Sequence, residues 1–152
     1  YDRSAMDDTR PRDASAAWVS IGPHRFAEYE RHCEWQPHGV VALPHAEELV
    51  KRLLAYQERT GKVALIVDGR ELAPLSAEVR SFYVQAVNRG LNYMPIVVYG
   101  ASLLAKVTQT LALRAGQIIH QLHIELRHVE TRQEAVAYIQ KRLNIHLRES
   151  LS

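Results

Sequence analysis

Two kinds of pattern alternate along the chain: short apolar runs of strand length, and longer stretches whose apolar residues recur with a helical period. The most apolar run is Val63-Ala-Leu-Ile-Val, closed by Asp68 and followed by Gly69-Arg70. A short run this rich in Val and Ile predicts a parallel strand buried on both faces. Helical patterns flank it, so it is expected at the centre of an α/β sheet. Upstream, Trp18-Val-Ser-Ile21 is a candidate short strand stopped by Gly22-Pro23. Arg25 to Trp35 alternates loosely, with Ala27, Tyr29, Cys33 and Trp35 on one side, and is read as one strand. Gln36-Pro-His-Gly39 is turn chemistry. Val40-Val-Ala-Leu43 then predicts a second short strand, antiparallel to the one before it.

A helix is expected from Ala46 to Thr60, with Ala46, Leu49, Val50, Leu53 and Leu54 on one face. Glu47 and Glu48 are placed in its first turn and Gly61 at its end. A second helix is expected from Ser76, a good N-cap, to Arg89. Its buried stripe is Val79, Phe82, Tyr83, Ala86 and Val87. Pro95 to Tyr99 predicts another buried strand. Gly100-Ala-Ser102 turns into a third helix, Leu103 to Ile119, with Leu103, Leu104, Val107 and Leu111 on one face. Leu122 to Val129 alternates weakly and is expected at the sheet edge. Thr131-Arg-Gln-Glu134 is a capping box that opens a final helix running to Leu143. The fold class is therefore α/β, with a mixed, largely parallel sheet and about four helices in the order β-β-α-β-α-β-α-β-α. Residues 1–17 are polar, without apolar period, and read as a disordered arm or tag remnant. Residues 18–146 form one domain, and 147–152 a frayed tail.

Composition narrows the function classes. The chain has 152 residues, a net charge of +2 and 47% hydrophobic residues, which is ordinary for one globular domain. The charges are scattered, and no basic stripe is interleaved with aromatics, so nucleic-acid binding is not expected. Cys33 is the sole cysteine. It allows neither an intrachain disulfide nor a cysteine-based zinc site, and a reducing, cytoplasmic setting is the simpler expectation. No run reaches the length of a membrane span, and no signal peptide is visible. The sequence opens at Tyr1 rather than Met, as a segment cut from a longer protein would.

The order of segments resembles that of the STAS domain, the fold of bacterial anti-sigma-factor antagonists, and more closely the SpoIIAA-like (STAS/SEC14-like) proteins. The resemblance is carried by Glu34-Trp-Gln-Pro-His-Gly-Val-Val41, Leu65-Ile-Val-Asp68 with Leu75-Ser-Ala-Glu-Val-Arg80, Val97-Val-Tyr-Gly-Ala-Ser102 and Glu130-Thr-Arg-Gln-Glu-Ala-Val-Ala-Tyr-Ile139. It implies a regulatory, protein-binding role without catalysis. Antagonists of the phosphorylated type carry an Asp-Ser-Ser-Gly-like segment where the second helix begins. Here Ala77 occupies the place of the phosphorylated serine and Ser76 stands one residue early, so the resemblance does not extend to the phospho-switch.

The candidate partner or ligand surface is Asp68, Arg70, Ser76, Glu78, Arg80, Gly100 and Ser102, all near the carboxyl ends of the expected strands. Open α/β sheets tend to place their ligands there. Each residue also has a plain structural reading: Asp68 as a turn-fixing carboxylate, Ser76 and Ser102 as helix caps. The turn at Gly100 lacks the spaced glycine and lysine of a phosphate loop. His120 and His123 are three apart, but the chain is expected to leave its helix there, and no third ligand is evident, so no metal and no cofactor is expected. No nucleophile elbow, catalytic carboxylate pair or dinucleotide fingerprint appears, and the chain is not read as an enzyme. The alternative function is a carrier for a lipid or small apolar ligand, with Phe82, Leu104 and Val107 lining its pocket. A third reading is a homodimer through the opening hairpin edge or the third helix.

Overall fold

The computed structural model describes residues 17–91, 93–120 and 124–151, so all but the last residue of the expected arm at 1–17, and His123, lie outside the described residues. Six strands form one mixed sheet in sequential order. They are β1 (Trp18–Ile21), β2 (His24–Glu28), β3 (Cys33–Gln36), β4 (Val63–Asp68), β5 (Tyr93–Tyr99) and β6 (Leu126–Val129). The helices are α1 (Leu43–Thr60), α2 (Ala77–Asn88), α3 (Leu103–His120) and α4 (Arg132–Leu151). The pairings β1–β2 and β2–β3 are antiparallel, and β3–β4, β4–β5 and β5–β6 are parallel.

The expected α/β class and the four helices are present, but the order begins β-β-β-α rather than β-β-α. Residues 25–35 are not one strand. Tyr29 N donates to His32 O at 2.8 Å, and this tight turn folds the segment back on itself as β2 and β3. The charged pair Glu30-Arg31 sits at the exposed corner of that turn. Val40–Leu43 is not a strand either. Gly39 makes a single bridge to Leu72, Val40 is exposed, and Leu43 already opens α1. The physical reason is Pro44, which suits the first turn of a helix and cannot donate in a ladder. Because α1 starts three residues early, Glu47 and Glu48 fall beyond its first turn. The helix α4 also outruns expectation. No Gly or Pro interrupts the sequence after Leu143, and the helix continues to Leu151.

The strand β4 is buried along its whole length. Its side chains alternate between two cores, as strand geometry requires. Val63, Leu65 and Val67 join the larger core with residues of α1 and α2, including Leu49, Leu53, Tyr56 and Val79. Ala64 and Ile66 join the smaller core with Val97, Tyr99, Ala135, Val136 and Ile139, under α4. Sequential parallel strands joined by crossovers of one hand put their helices on one face. This places α1, α2 and α3 together and leaves α4 alone on the other side. Of these, α3 spans the crossover to β6, at the sheet's edge.

One histidine ties the opening hairpin to this frame. His24 is fully buried on β2, and its Nδ1 accepts from His38 N at 2.9 Å. Gly39 N then donates to Glu71 O at 2.9 Å, linking that segment to the loop after β4. Burial, and the nearby His45 and His38, hold the His24 pKa below the ordinary 6.5. His128 is shifted the same way by burial and by Lys106. A histidine more basic unfolded than folded contributes stability that is complete above about pH 6.5 and lost as pH falls from there through the lower folded value. The urea midpoint should therefore drop between pH 7 and pH 5, and His24→Gln should make that drop smaller even where it lowers stability overall. An unchanged pH slope in His24→Gln would contradict this assignment.

Candidate functional site

The site is built on strand parity. Asp68 is the sixth residue of β4, so it faces the same way as Ala64 and Ile66, toward the α4 side. Its register partner on β5 is Tyr99, and Glu34 on β3 pairs with Ile66. Asp68, Tyr99 and Glu34 thus reach the same face of the sheet, toward the carboxyl ends of the parallel strands.

Asp68 has a single tight partner. Its Oδ1 accepts from Arg70 N at 3.1 Å and Arg70 Nε at 2.9 Å, and its Oδ2 accepts from Arg70 Nη2 at 2.6 Å. Burial pushes the carboxyl pKa up, but the hydrogen bonds and charge of Arg70, with help from the Tyr99 hydroxyl, bring it below the usual 3.8. The group is a fixed carboxylate at neutral pH. Burial and the neighbouring Asp68 charge push the Tyr99 hydroxyl up to about 12. The Asp68 side chain is 8% exposed and that of Arg70 67%, so the pair has one buried and one open end. Arg70 also lies 5.8 Å from the Tyr99 ring centre and packs directly over Gly100. Gly100 has φ +71°, and a Cβ there would meet Arg70 Cγ at 2.7 Å. Glycine is required on both counts.

The remaining expected site residues lie further along the chain, at the starts of α2 and α3, and beyond Gly100 none makes a contact with this pair that the structure shows. Ser76 Oγ accepts from Val79 N at 3.2 Å and caps α2; Ser102 Oγ accepts from Ala105 N at 3.1 Å and caps α3. Both serines are exposed caps, as their positions in the sequence suggest. Glu78 is exposed in the first turn of α2, and Arg80, also exposed, donates to Leu75 O at 3.2 Å. The expected pocket residues do not converge. Phe82 packs partly buried on the larger core, whereas Leu104 and Val107 lie exposed on α3. A shallow depression of about 220 Å³ is lined by Val107 with Lys106, Thr110, Leu111 and Arg114, without Phe82 or Leu104. Among the described residues, no group of three or more His, Cys, Asp or Glu side chains could hold a metal ion, and no helix is long and apolar enough to cross a membrane.

Sequence reasoning did not single out the second polar cluster on this face. Glu34, 1% exposed, accepts from Arg132 Nε at 2.8 Å and from Arg132 Nη2, and its Oε2 lies 3.1 Å from His32 Nε2. His32 stacks on Tyr29 with ring centres 4.7 Å apart, and the Arg132 guanidinium lies 5.9 Å from the Tyr29 ring centre. Burial opposes ionisation of Glu34, but the hydrogen bonds of His32 and Arg132 outweigh it and hold the pKa below the usual range. The cluster bolts the first residue of α4 to β3. The available signal was the parity of Glu34 between Cys33 and Trp35, which turns a carboxylate inward and calls for a cation.

Comparison with known families, curated proteins and solved structures yields no match to this chain.

Removing one partner of the Glu34–Arg132 pair strands a buried charge, which costs about 3–5 kcal/mol. Arg132→Met should therefore lower unfolding free energy by about that much in urea titration. Glu34→Leu combined with Arg132→Met should recover most of the loss. A double variant no more stable than Arg132→Met would show that the stranded carboxylate is not the cause.

Proposed function

We propose that the chain is a non-enzymatic, STAS-like interaction domain of the SpoIIAA-like type. It binds a protein partner through the Asp68–Arg80 segment and the Gly100–Ser102 turn, in a cytoplasmic, regulatory setting. The observation that supports this most is the asymmetry of the Asp68–Arg70 pair. The carboxylate is buried, ionised and fully engaged, so it is poorly suited to moving protons. The guanidinium is held at the surface by Nε and Nη2, and the remaining N–H donors of this planar cation suit recognition of a carboxylate or phosphate group. The loops that leave β4 and β5 then lead into the capped starts of α2 and α3, where Glu78 and Arg80 are exposed. Ala77, without a hydroxyl, makes this a surface whose binding is not switched by phosphorylation at that position. The outward placement of Leu104 and Val107 removes the support for an apolar carrier pocket.

The test is affinity capture with the full chain as bait, compared between wild type, Arg70→Glu, Glu78→Lys and the exposed control Arg31→Glu. A partner held by wild type and the control should be lost or weakened about tenfold or more with the two surface variants, while their far-UV circular dichroism is unchanged. A partner retained equally by Arg70→Glu and Glu78→Lys would place the binding surface elsewhere.

A further inference from the structure

The helix α3 is turned inside out for a surface helix. Two of its polar side chains face the body: Gln109 Oε1 lies 2.8 Å from His128 Nε2 on β6, and Lys106 Nζ lies 3.5 Å from Glu130. Four large apolar side chains face away. Leu103 and Leu104 are each 77% exposed, Leu111 61% and Val107 48%. A helix on the surface of a domain ordinarily shows the reverse arrangement. A contiguous apolar patch of this kind marks a contact surface. Leu104, Val107 and Leu111 recur at spacings of three and four, the seam of a helix packed lengthwise on another helix.

We propose that this seam joins two copies of the chain, α3 against α3, antiparallel about a two-fold axis. Charge selects the arrangement. The sequence of α3 holds Lys106 and Arg114 and no acidic residue. Parallel copies would set Arg114 beside Arg114. In the antiparallel register that places Leu104 opposite the second copy's Leu111, Val107 lies close to the axis. Arg114 then falls beside the start of the second copy's α3, and Glu130 stands there. Gly100 N donates to Val129 O at 3.2 Å, so Glu130 adjoins the chain entering α3. Its pairing with Lys106 keeps it on the flank that Arg114 borders, with 79% of its side chain exposed. The two-fold axis matches like flanks, so each Arg114 meets the other copy's Glu130 and one self-complementary patch serves both chains. The depression between Lys106, Val107, Thr110, Leu111 and Arg114 lies along the same flank and receives an apolar side chain of the second copy.

The test is sedimentation velocity of the full chain from about 1 to 100 μM, a range that spans weak to moderate dimers. Wild type should show a reversible monomer–dimer equilibrium. Leu111→Glu should raise the dissociation constant at least about tenfold, and Arg114→Glu should weaken the dimer by a smaller factor. Adding Glu130→Arg to Arg114→Glu should restore it. The altered side chains are exposed, and unchanged circular dichroism verifies the fold. A monomer at every concentration overturns the proposal, including one that co-sediments with anionic vesicles instead. A dimer indifferent to both Leu111→Glu and Leu104→Glu overturns it equally.

Discussion

Burial of β4 on both faces is the constraint from which the rest of the architecture follows. A strand whose six residues all leave water must be covered twice. One cover is supplied by α1 and α2, reached through the parallel crossovers. The other is α4, which arrives after the last strand and returns across the opposite face. Without α4, Ala64, Ile66 and Val97 would lie open to water, together with the two carboxylates that share their face. The α4 side therefore buries both carboxylates, Glu34 and Asp68.

Two carboxylates on that face are stabilised in different ways. Glu34 is enclosed and needs a cation from another element, so Arg132 at the start of α4 serves both as its counter-charge and as the anchor of the covering helix. Asp68 stands at the strand's end and takes its cation from two residues onward in the chain. The first pair is closed and structural. The second is open on one side, since the Arg70 head group reaches solvent. Gly100 allows the close approach that fixes Arg70 in place. Rigid placement of an exposed guanidinium is the property on which the proposed binding role rests.

The elements with a strong internal period were legible in the sequence. The buried run at 63–68, the stripe of α1 except Leu54, which is exposed while Tyr56 is buried, and the caps at Ser76, Ser102 and Thr131 all express local rules that the fold does not overrule. The opening hairpin was not legible. Its turn at 29–32 is held by a backbone bond and a Tyr29–His32 stack, with no glycine or proline to announce it. Likewise, Val40–Leu43 has strand composition, but Pro44 and the demand for a helix over β4 decide its fate. In the site, Asp68 was readable as the polar end of a buried strand. The Glu34–Arg132 pair was not, since its members lie 98 residues apart and only the fold brings the first residue of α4 to β3. The exposed face of α3 shows a further limit. Its apolar period is plain in the sequence, but a period alone does not say whether the stripe meets the sheet or faces outward.

The central claim is that Asp68 is an ionised carboxylate whose charge is committed to Arg70. Its contribution to stability is then present above the ordinary carboxylate value and lost only as pH falls through the lower folded value. The most direct measurement is a carbon-13 NMR titration of the Asp68 carboxyl group in the wild type and in Arg70→Met. The account predicts a wild-type midpoint below the usual 3.8, moving upward when Arg70 is replaced. A wild-type midpoint at or above that value, or one indifferent to Arg70→Met, would contradict it.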